Sequence, residues 1–151
     1  MKTLVESAKA AKAASLELAR LTTEAKNPAL RAMARALMEK SPEILAANEA
    51  DMQRGREGGM PESLLDRLML NEARIAGMAE GLEQVADLPD PIGRVMDEWT
   101  RPNGLVIRKV RVPMGVIGII YEARPNVTVD AAALAFKAGS AILLRGSSSA
   151  Y

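Results

Sequence analysis

Between Val112 and Ile120 lies the longest apolar stretch of the chain, broken by Pro113, Gly115 and Gly118. It falls well short of the ~20 residues that a membrane helix needs, so it reads as a strand. Met114–Tyr121 contributes Val116, Ile117, Ile119 and Ile120, a nearly continuous run. Such a run predicts a parallel strand buried on both faces. A loop over Glu122–Asn126 follows, then a helix over Thr128–Gly139 with Gly139 as its stop. Ser140–Arg145 reads as a second apolar strand, and Gly146-Ser147-Ser148-Ser149 as a polar turn. Strand, helix, strand is a βαβ unit, right-handed by the general rule. Two strands do not complete a doubly wound sheet, so the class is α/β and the chain reads as cut inside an α/β domain.

Residues 1–88 have a different rhythm. Leu4, Ala8, Ala11, Ser15, Leu18 and Ala19 recur at helical spacing and predict one buried stripe. A second helix is capped by Thr22 or Thr23, with Pro28 near its first turn and Leu30, Met33, Ala34, Leu37 and Met38 facing the core. Ser41-Pro42-Glu43 predicts a cap, a first helical proline and an acid at the positive end of a third helix. That helix runs to about Arg56, where Gly58-Gly59 ends it. Pro61 opens a short helix through Leu64, Leu65 and Leu68. Asn71-Glu72 starts another, with Ile75, Met78, Ala79, Leu82 and Val85 on one face. Met33, Met38, Met69 and Met78 read as core filler.

Pro89-Asp90-Pro91-Ile92-Gly93 cannot continue a helix and reads as a connector. Beyond it, Asn103-Gly104 predicts a hairpin turn, because both residues tolerate positive φ. Leu105, Ile107, Lys109 and Arg111 share one pleat face, and Val106, Arg108, Val110 and Val112 the other. Neither face is cleanly apolar, which predicts an exposed ribbon or interface arm, with Trp99 as its anchor. The expected division is a helical part over 1–98, a ribbon over 99–112 and an incomplete βαβ portion over 113–151.

Composition narrows the chemistry. The chain of 151 residues has no cysteine and no histidine. By itself it forms no Ser-His-Asp triad, Cys nucleophile, Cys/His zinc site or disulfide. Its acidic residues form no metal-ligand pattern, so no metal is expected. Residues 1–100 hold 13 basic against 17 acidic side chains, and residues 101–151 hold 7 against 2, which makes the C-terminal third basic. That balance suits a small anionic ligand and is too sparse for nucleic acid, as is the 3% aromatic content. The N-terminus lacks a secretory h-region, and a cytoplasmic setting is the default expectation.

Two segments follow the carboxyl ends of the predicted strands, where open α/β sheets gather ligands. In Tyr121-Glu122-Ala123-Arg124-Pro125-Asn126, the Asn126 amide either caps the next helix or donates to a developing oxyanion. On the residues alone, capping is the stronger reading. Arg124 suits a carboxylate or phosphate, or a surface ion pair with Glu122 or Asp130, and the ion pair is the simpler choice. In Leu144-Arg145-Gly146-Ser147-Ser148-Ser149, small residues, an arginine and hydroxyls suit a phosphate or form a plain turn.

The ordered stretch Val112-Pro113-Met114-Gly115-Val116-Ile117-Gly118-Ile119-Ile120-Tyr121-Glu122-Ala123-Arg124-Pro125-Asn126-Val127-Thr128-Val129-Asp130-Ala131 resembles the signature of the gamma-glutamyl phosphate reductases, also called glutamate-5-semialdehyde dehydrogenases. Glu98–Leu105 and Leu64-Leu65-Asp66-Arg67-Leu68 strengthen the resemblance, which covers essentially the whole chain. It implies a helical N-terminal region, a β-ribbon and the start of the Rossmann-like parallel sheet of the aldehyde dehydrogenase fold. It implies NADPH-dependent reduction of L-glutamyl 5-phosphate to glutamate 5-semialdehyde and phosphate, the second step of proline biosynthesis. In that chemistry a cysteine thiolate forms a thioester, which accepts hydride more readily than a carboxylate does.

Carried over by position, Asn126 matches the oxyanion-hole asparagine, and Arg124 becomes a substrate-binding candidate. Glu122 and Ala123 fall beside the nicotinamide. Arg145, Gly146, Ser147 and Ser148 fall at the adenosine ribose, where Arg145 and the lack of an acid at Ser148 favour a 2′-phosphate. The ribbon around Asn103-Gly104 matches an oligomerisation arm, which implies a homo-oligomer. A functional link to glutamate 5-kinase is also implied, and no membrane or nucleic-acid partner. The family's cysteine and catalytic domain have no counterpart in these residues, so the chain is expected to be an N-terminal portion, inactive alone. The competing reading is a non-enzymatic helical interaction module, resting on the helical first 88 residues.

Overall fold

The computed structural model describes residues 3–122 and 124–147. The candidates Ala123 and Ser148 lie outside the described residues. Five helices come first: α1 (Leu4–Leu18), α2 (Thr23–Glu39), α3 (Ser41–Glu57), α4 (Glu62–Leu68) and α5 (Glu72–Asp87). They are followed by β1 (Val95–Thr100), β2 (Val106–Val110), β3 (Val116–Ile120), α6 (Pro125–Lys137) and β4 (Ala141–Arg145).

Local chemistry explains the helix starts. Thr3 and Glu6 form a reciprocal capping box at α1, with Glu6 N–H donating to Thr3 Oγ1 at 3.2 Å and Thr3 N–H to Glu6 Oε2 at 2.7 Å. Asn71 caps α5 by accepting from Arg74 N–H at 2.8 Å. Three expectations need correction. Thr22 occupies the α2 cap without a side-chain bond, and the Thr23 hydroxyl donates to Asp90 instead. Pro28 is the sixth residue of α2, one turn further in than expected, so the Glu24 carbonyl loses its helical donor at an exposed position. Ser41 is the first residue of α3 and not its cap, because Lys40 alone separates α2 from α3.

The main core lies where α2, α5 and α6 meet. Leu30 and Ala34 of α2 pack with Ala79, Leu82 and Ala86 of α5 and Ala133 of α6. Alanines at the crossings let the helices approach closely, which narrows the buried stripe. Met33 and Met38 therefore lie on exposed shoulders, against the expected core role, whereas Met78 is buried. A second cluster of Met52, Leu65 and Leu68 joins α3 to α4, supported by Met60 and Met69. The α1 stripe is covered at Ser15 and partly at Ala8, Ala11 and Leu18, but Leu4 and Ala19 are exposed beyond the sheet it rests on.

β1 and β2 form an antiparallel ribbon in which Trp99 pairs with Ile107 and Glu98 with Arg108. The ribbon begins at Val95, earlier than residue 99. Among its residues only Ile107 is half-buried. Trp99 is part of the exposed strand, not an anchor packed beneath it. The expected hairpin turn joins the two strands. Gly104 alone takes positive φ, at +83°, while Asn103 does not. Gly104 N–H donates to the Arg101 carbonyl, and Arg101 N–H to that of Leu105. This is a three-residue loop closed by a left-handed glycine, which Pro102 favours by fixing its own φ negative.

β3 and β4 pair in parallel, with Val116 opposite Ala141 and Ile120 opposite Arg145. Burial on both faces is not found: Ile120 is 80% exposed, and Val116, Ile117 and Ile119 are half-covered. Among the described residues each strand has only the other as a neighbour, with α1 and α6 packed on β4. α6 starts at Pro125, three residues before the expected Thr128, because proline suits a first helical position. It ends in a turn at Gly139, whose φ is +65°. A side chain there would approach Pro113, Leu18 and Ile92, so α1, the connector, the lead into β3 and the end of α6 converge on this glycine.

Charged groups are also interior. Lys26 and Lys137 are 1% and 3% exposed. Lys26 Nζ donates to Asp90 Oδ2 at 2.7 Å and to the Lys137 carbonyl at 3.3 Å. Lys137 Nζ donates to Asn27 Oδ1 at 2.6 Å and to the Ala86 carbonyl at 2.9 Å. These bonds tie α2, α5, the connector and the end of α6 into one unit.

Candidate functional site

The register of β3 on β4 brings the two candidate segments side by side. Ile120 lies opposite Arg145, and Tyr121 N–H continues the ladder to the Arg145 carbonyl at 3.1 Å. Glu122 and Gly146-Ser147 therefore leave the sheet at the same carboxyl end, the position at which open α/β sheets bind ligands. Arg145 and Glu122 are exposed, and Gly146 and Ser147 are half-covered. The Tyr121 ring lies against Gly146, and its hydroxyl is 2.6 Å from Thr128 Oγ1 on α6. Tyr121 thus clamps the end of β4 to the first turns of α6. Its place in the segment gave no sign of this role, because the partner is seven residues away across a loop.

Asn126 is the second residue of α6, with Arg124 in the cap position. The expected capping role is not found. The Asn126 side chain lies within the first turn and donates from Nδ2 to Asp130 Oδ2 at 3.2 Å. The amide is exposed at the positive end of the helix dipole, where donors are aimed at incoming negative charge. Among the described residues, Arg124 forms no ion pair with Glu122 or Asp130, against the simpler expectation. Only its backbone N–H bonds Glu122, through the carbonyl at 2.8 Å.

Arg124, Pro125, Asn126 and Asp130 form one wall of a groove of about 510 Å³. The opposite wall is the α4–α5 corner, with Asp66, Arg67 and Arg74. Arg74 builds that corner, donating to the Met69 carbonyl at 2.7 Å, to Asp66 Oδ1 at 2.9 Å and to the Asp66 carbonyl. Asn48 holds it from α3, donating to the Leu68 carbonyl at 2.8 Å and accepting from Leu70 N–H at 2.7 Å. The helix periodicities at 64–68 and 75–85 place both helices but not the corner, which depends on side-chain-to-carbonyl bonds. No signal in the residues alone connects Arg67 with Asn126, about sixty positions away.

Among the described residues, no group of three or more His, Cys, Asp or Glu could hold a metal. No helix among them is long and apolar enough to cross a membrane. No protein-family model matches the chain. Whole-chain comparisons are decisive. The chain is 56% identical over 150 residues to gamma-glutamyl phosphate reductase of Anoxybacillus flavithermus, covering 99% of itself and 36% of that protein. With the reductase of Moorella thermoacetica it is 62% identical over 141 residues, 93% of this chain and 34% of that one. The crystal structure of gamma-glutamyl phosphate reductase from Thermotoga maritima superposes with a TM-score of 0.95 at 50% identity, over 99% of this chain and 36% of that one.

The chain matches about one third of gamma-glutamyl phosphate reductase. The enzyme of that name from Saccharomyces cerevisiae has the same fold over 99% of this chain, with a TM-score of 0.90 at 30% identity. The helical region, the ribbon and the short parallel sheet are thus features shared with gamma-glutamyl phosphate reductases. The helical-module alternative finds no support among these relatives.

Proposed function

We propose that this chain is the N-terminal part of an NADPH-dependent gamma-glutamyl phosphate reductase, which forms glutamate 5-semialdehyde and phosphate from L-glutamyl 5-phosphate in cytoplasmic proline biosynthesis. The observation that carries the reading is the 0.95 superposition at 50% identity, extending through the segment that presents Asn126. The chain spans only about a third of its relatives. The nucleophilic cysteine is accordingly assigned to sequence outside these 151 residues, which alone are inactive.

Asn126 is the oxyanion donor. Its amide lies at a helix N-terminus beside the groove, so it can stabilise the oxygen that becomes negative when a thiolate or hydride adds to the carbonyl. The bond to Asp130 restrains the amide in the ground state. Arg124, two residues before it, binds the anionic part of the substrate.

The cofactor is NADPH, which supplies the hydride when bound. The described end of β4 offers the right donor chemistry: an exposed guanidinium at Arg145, the small residue Gly146 and the Ser147 hydroxyl. Arg145 holds the 2′-phosphate, with Ser148 completing the ribose site and Glu122 and Ala123 near the nicotinamide. The exposed ribbon, with Trp99, Val106 and Val110 open to solvent, is the arm of a homo-oligomer. A functional link to glutamate 5-kinase follows from the same reading.

The test is an assay of the chain continued by the remaining two thirds of the relatives' length. NADP and phosphate should support oxidation of glutamate 5-semialdehyde. A folded, complete protein without that activity refutes the reading.

A further inference from the structure

Three arginines line the groove between the α4–α5 corner and α6, and they are not equivalent. Arg74 is committed to the corner, bonded to Asp66 and to the Met69 carbonyl. The acidic groups are committed as well, Asp66 to Arg74 and Asp130 to the Asn126 amide. Arg67 and Arg124 are exposed on facing walls, and neither guanidinium has a hydrogen-bond partner or ion pair among the described residues. The groove holds three arginines against two acids and presents an uncommitted guanidinium on each side, which suits a small ligand with two separated anionic groups.

We infer that Arg67 is the specificity residue for the substrate's α-carboxylate, the group farthest from the reacting carbonyl. This rests on the reductase reading above. Arg124 lies beside Asn126, at the reacting end, and Arg67 lies across the groove on α4. The substrate of that reading has an acyl phosphate at one end and an α-carboxylate at the other. Its reacting carbonyl meets Asn126, its phosphate meets Arg124, and its carboxylate meets the planar fork of Arg67. Met78 and Leu70 of the groove provide apolar lining for the methylenes between them. A planar guanidinium grips a carboxylate through two parallel bonds, and lysine cannot reproduce that geometry.

The experiment compares two aldehydes in the complete protein, read in the oxidative direction: glutamate 5-semialdehyde and 4-aminobutanal, which lacks the carboxylate. Arg67→Gln should lower kcat/KM for glutamate 5-semialdehyde about 10- to 100-fold, mainly through KM. It should leave turnover of 4-aminobutanal within about twofold. Arg67→Lys should fall between the two. Equal losses on both aldehydes would make Arg67 merely structural and overturn the inference, as would no loss on either. Inactivity of the unsubstituted protein would instead refute the reductase reading, and the inference with it.

Discussion

Asp90→Asn tests the interior charge cluster with the smallest change of shape. Asp90 lies in the connector after α5, and its side chain is 13% exposed. Oδ2 accepts from Lys26 Nζ at 2.7 Å and from the Thr23 hydroxyl at 3.1 Å, while Oδ1 accepts from Ile92 N–H at 3.0 Å. Burial pushes the Asp90 carboxyl upward, but the Lys26 ammonium, Ile92 N–H and Thr23 hydroxyl together outweigh it and hold the acid below its ordinary range. Asparagine removes the charge and leaves the Lys26 ammonium 2% exposed without an anion, near the ammonium of Lys137. Breaking a buried pair from one side costs about 3–5 kcal/mol. Asparagine keeps one carbonyl oxygen for these donors, so the expected loss is about 3 kcal/mol.

For a chain of this size that loss corresponds to a fall of roughly 6–12 °C in Tm. Urea unfolding followed by far-ultraviolet circular dichroism measures it. Lys26→Met combined with Asp90→Asn should lose at least ~2 kcal/mol less than the two single losses added, because no charge is then stranded. The pH dependence has a definite sign. A carboxyl with a depressed folded pKa contributes fully above its unfolded value, near 3.8, and loses that contribution as pH falls through the lower folded value. Asp90→Asn should therefore flatten the acid limb below about pH 4. A loss under about 1 kcal/mol, or additivity of the two substitutions, would refute this account of the cluster.

Burial holds the Lys137 ammonium below the ordinary lysine range, so its desolvation penalty is present at neutral pH and relieved as pH rises toward 10.5. The urea midpoint of Lys137→Met should lack the rise that the parent shows across that range. Asn48→Ala strands the Leu68 carbonyl and the Leu70 N–H and should cost about 2–4 kcal/mol by the same unfolding assay. Gly104→Ala places a side chain at φ +83°, with open space around it, and should cost about 1–2 kcal/mol from backbone strain alone. In the complete reductase, Asn126→Ala should lower kcat by about 10²–10³ with little change in NADPH binding. Arg145→Ser should raise KM for NADPH while sparing NADH, measured as the ratio of the two kcat/KM values.

Local signals accounted for most elements. Asn71 before an apolar helical face, Gly58 after a long periodic stretch, and two apolar runs flanking a helix each act within a few residues, and α5, the end of α3 and the βαβ unit formed accordingly. The misses come from distance. Thr23 gave up capping for Asp90, sixty-seven positions away. Met33 and Met38 remain outside because alanines on α2 and α5 bring the helix axes together. The same limit applies to the site. The candidates Asn126 and Arg145 could be named from segments that follow predicted strands, whereas Arg67 entered the groove only through the bonds of Arg74 and Asn48 that fold the α4–α5 corner.

The packing of α1 on β4 sets an order of events in synthesis. The first helix ends at Leu18, and the strand it rests on begins at Ala141. At roughly 5–20 residues per second, α1 waits on the order of 6–25 s for that strand to be made. During the interval α2 and α5 can already join, since both lie before Leu88. A nascent chain halted before β4 would hold a nearly finished helical core with its earliest helix still unclaimed, open to chaperones and proteases.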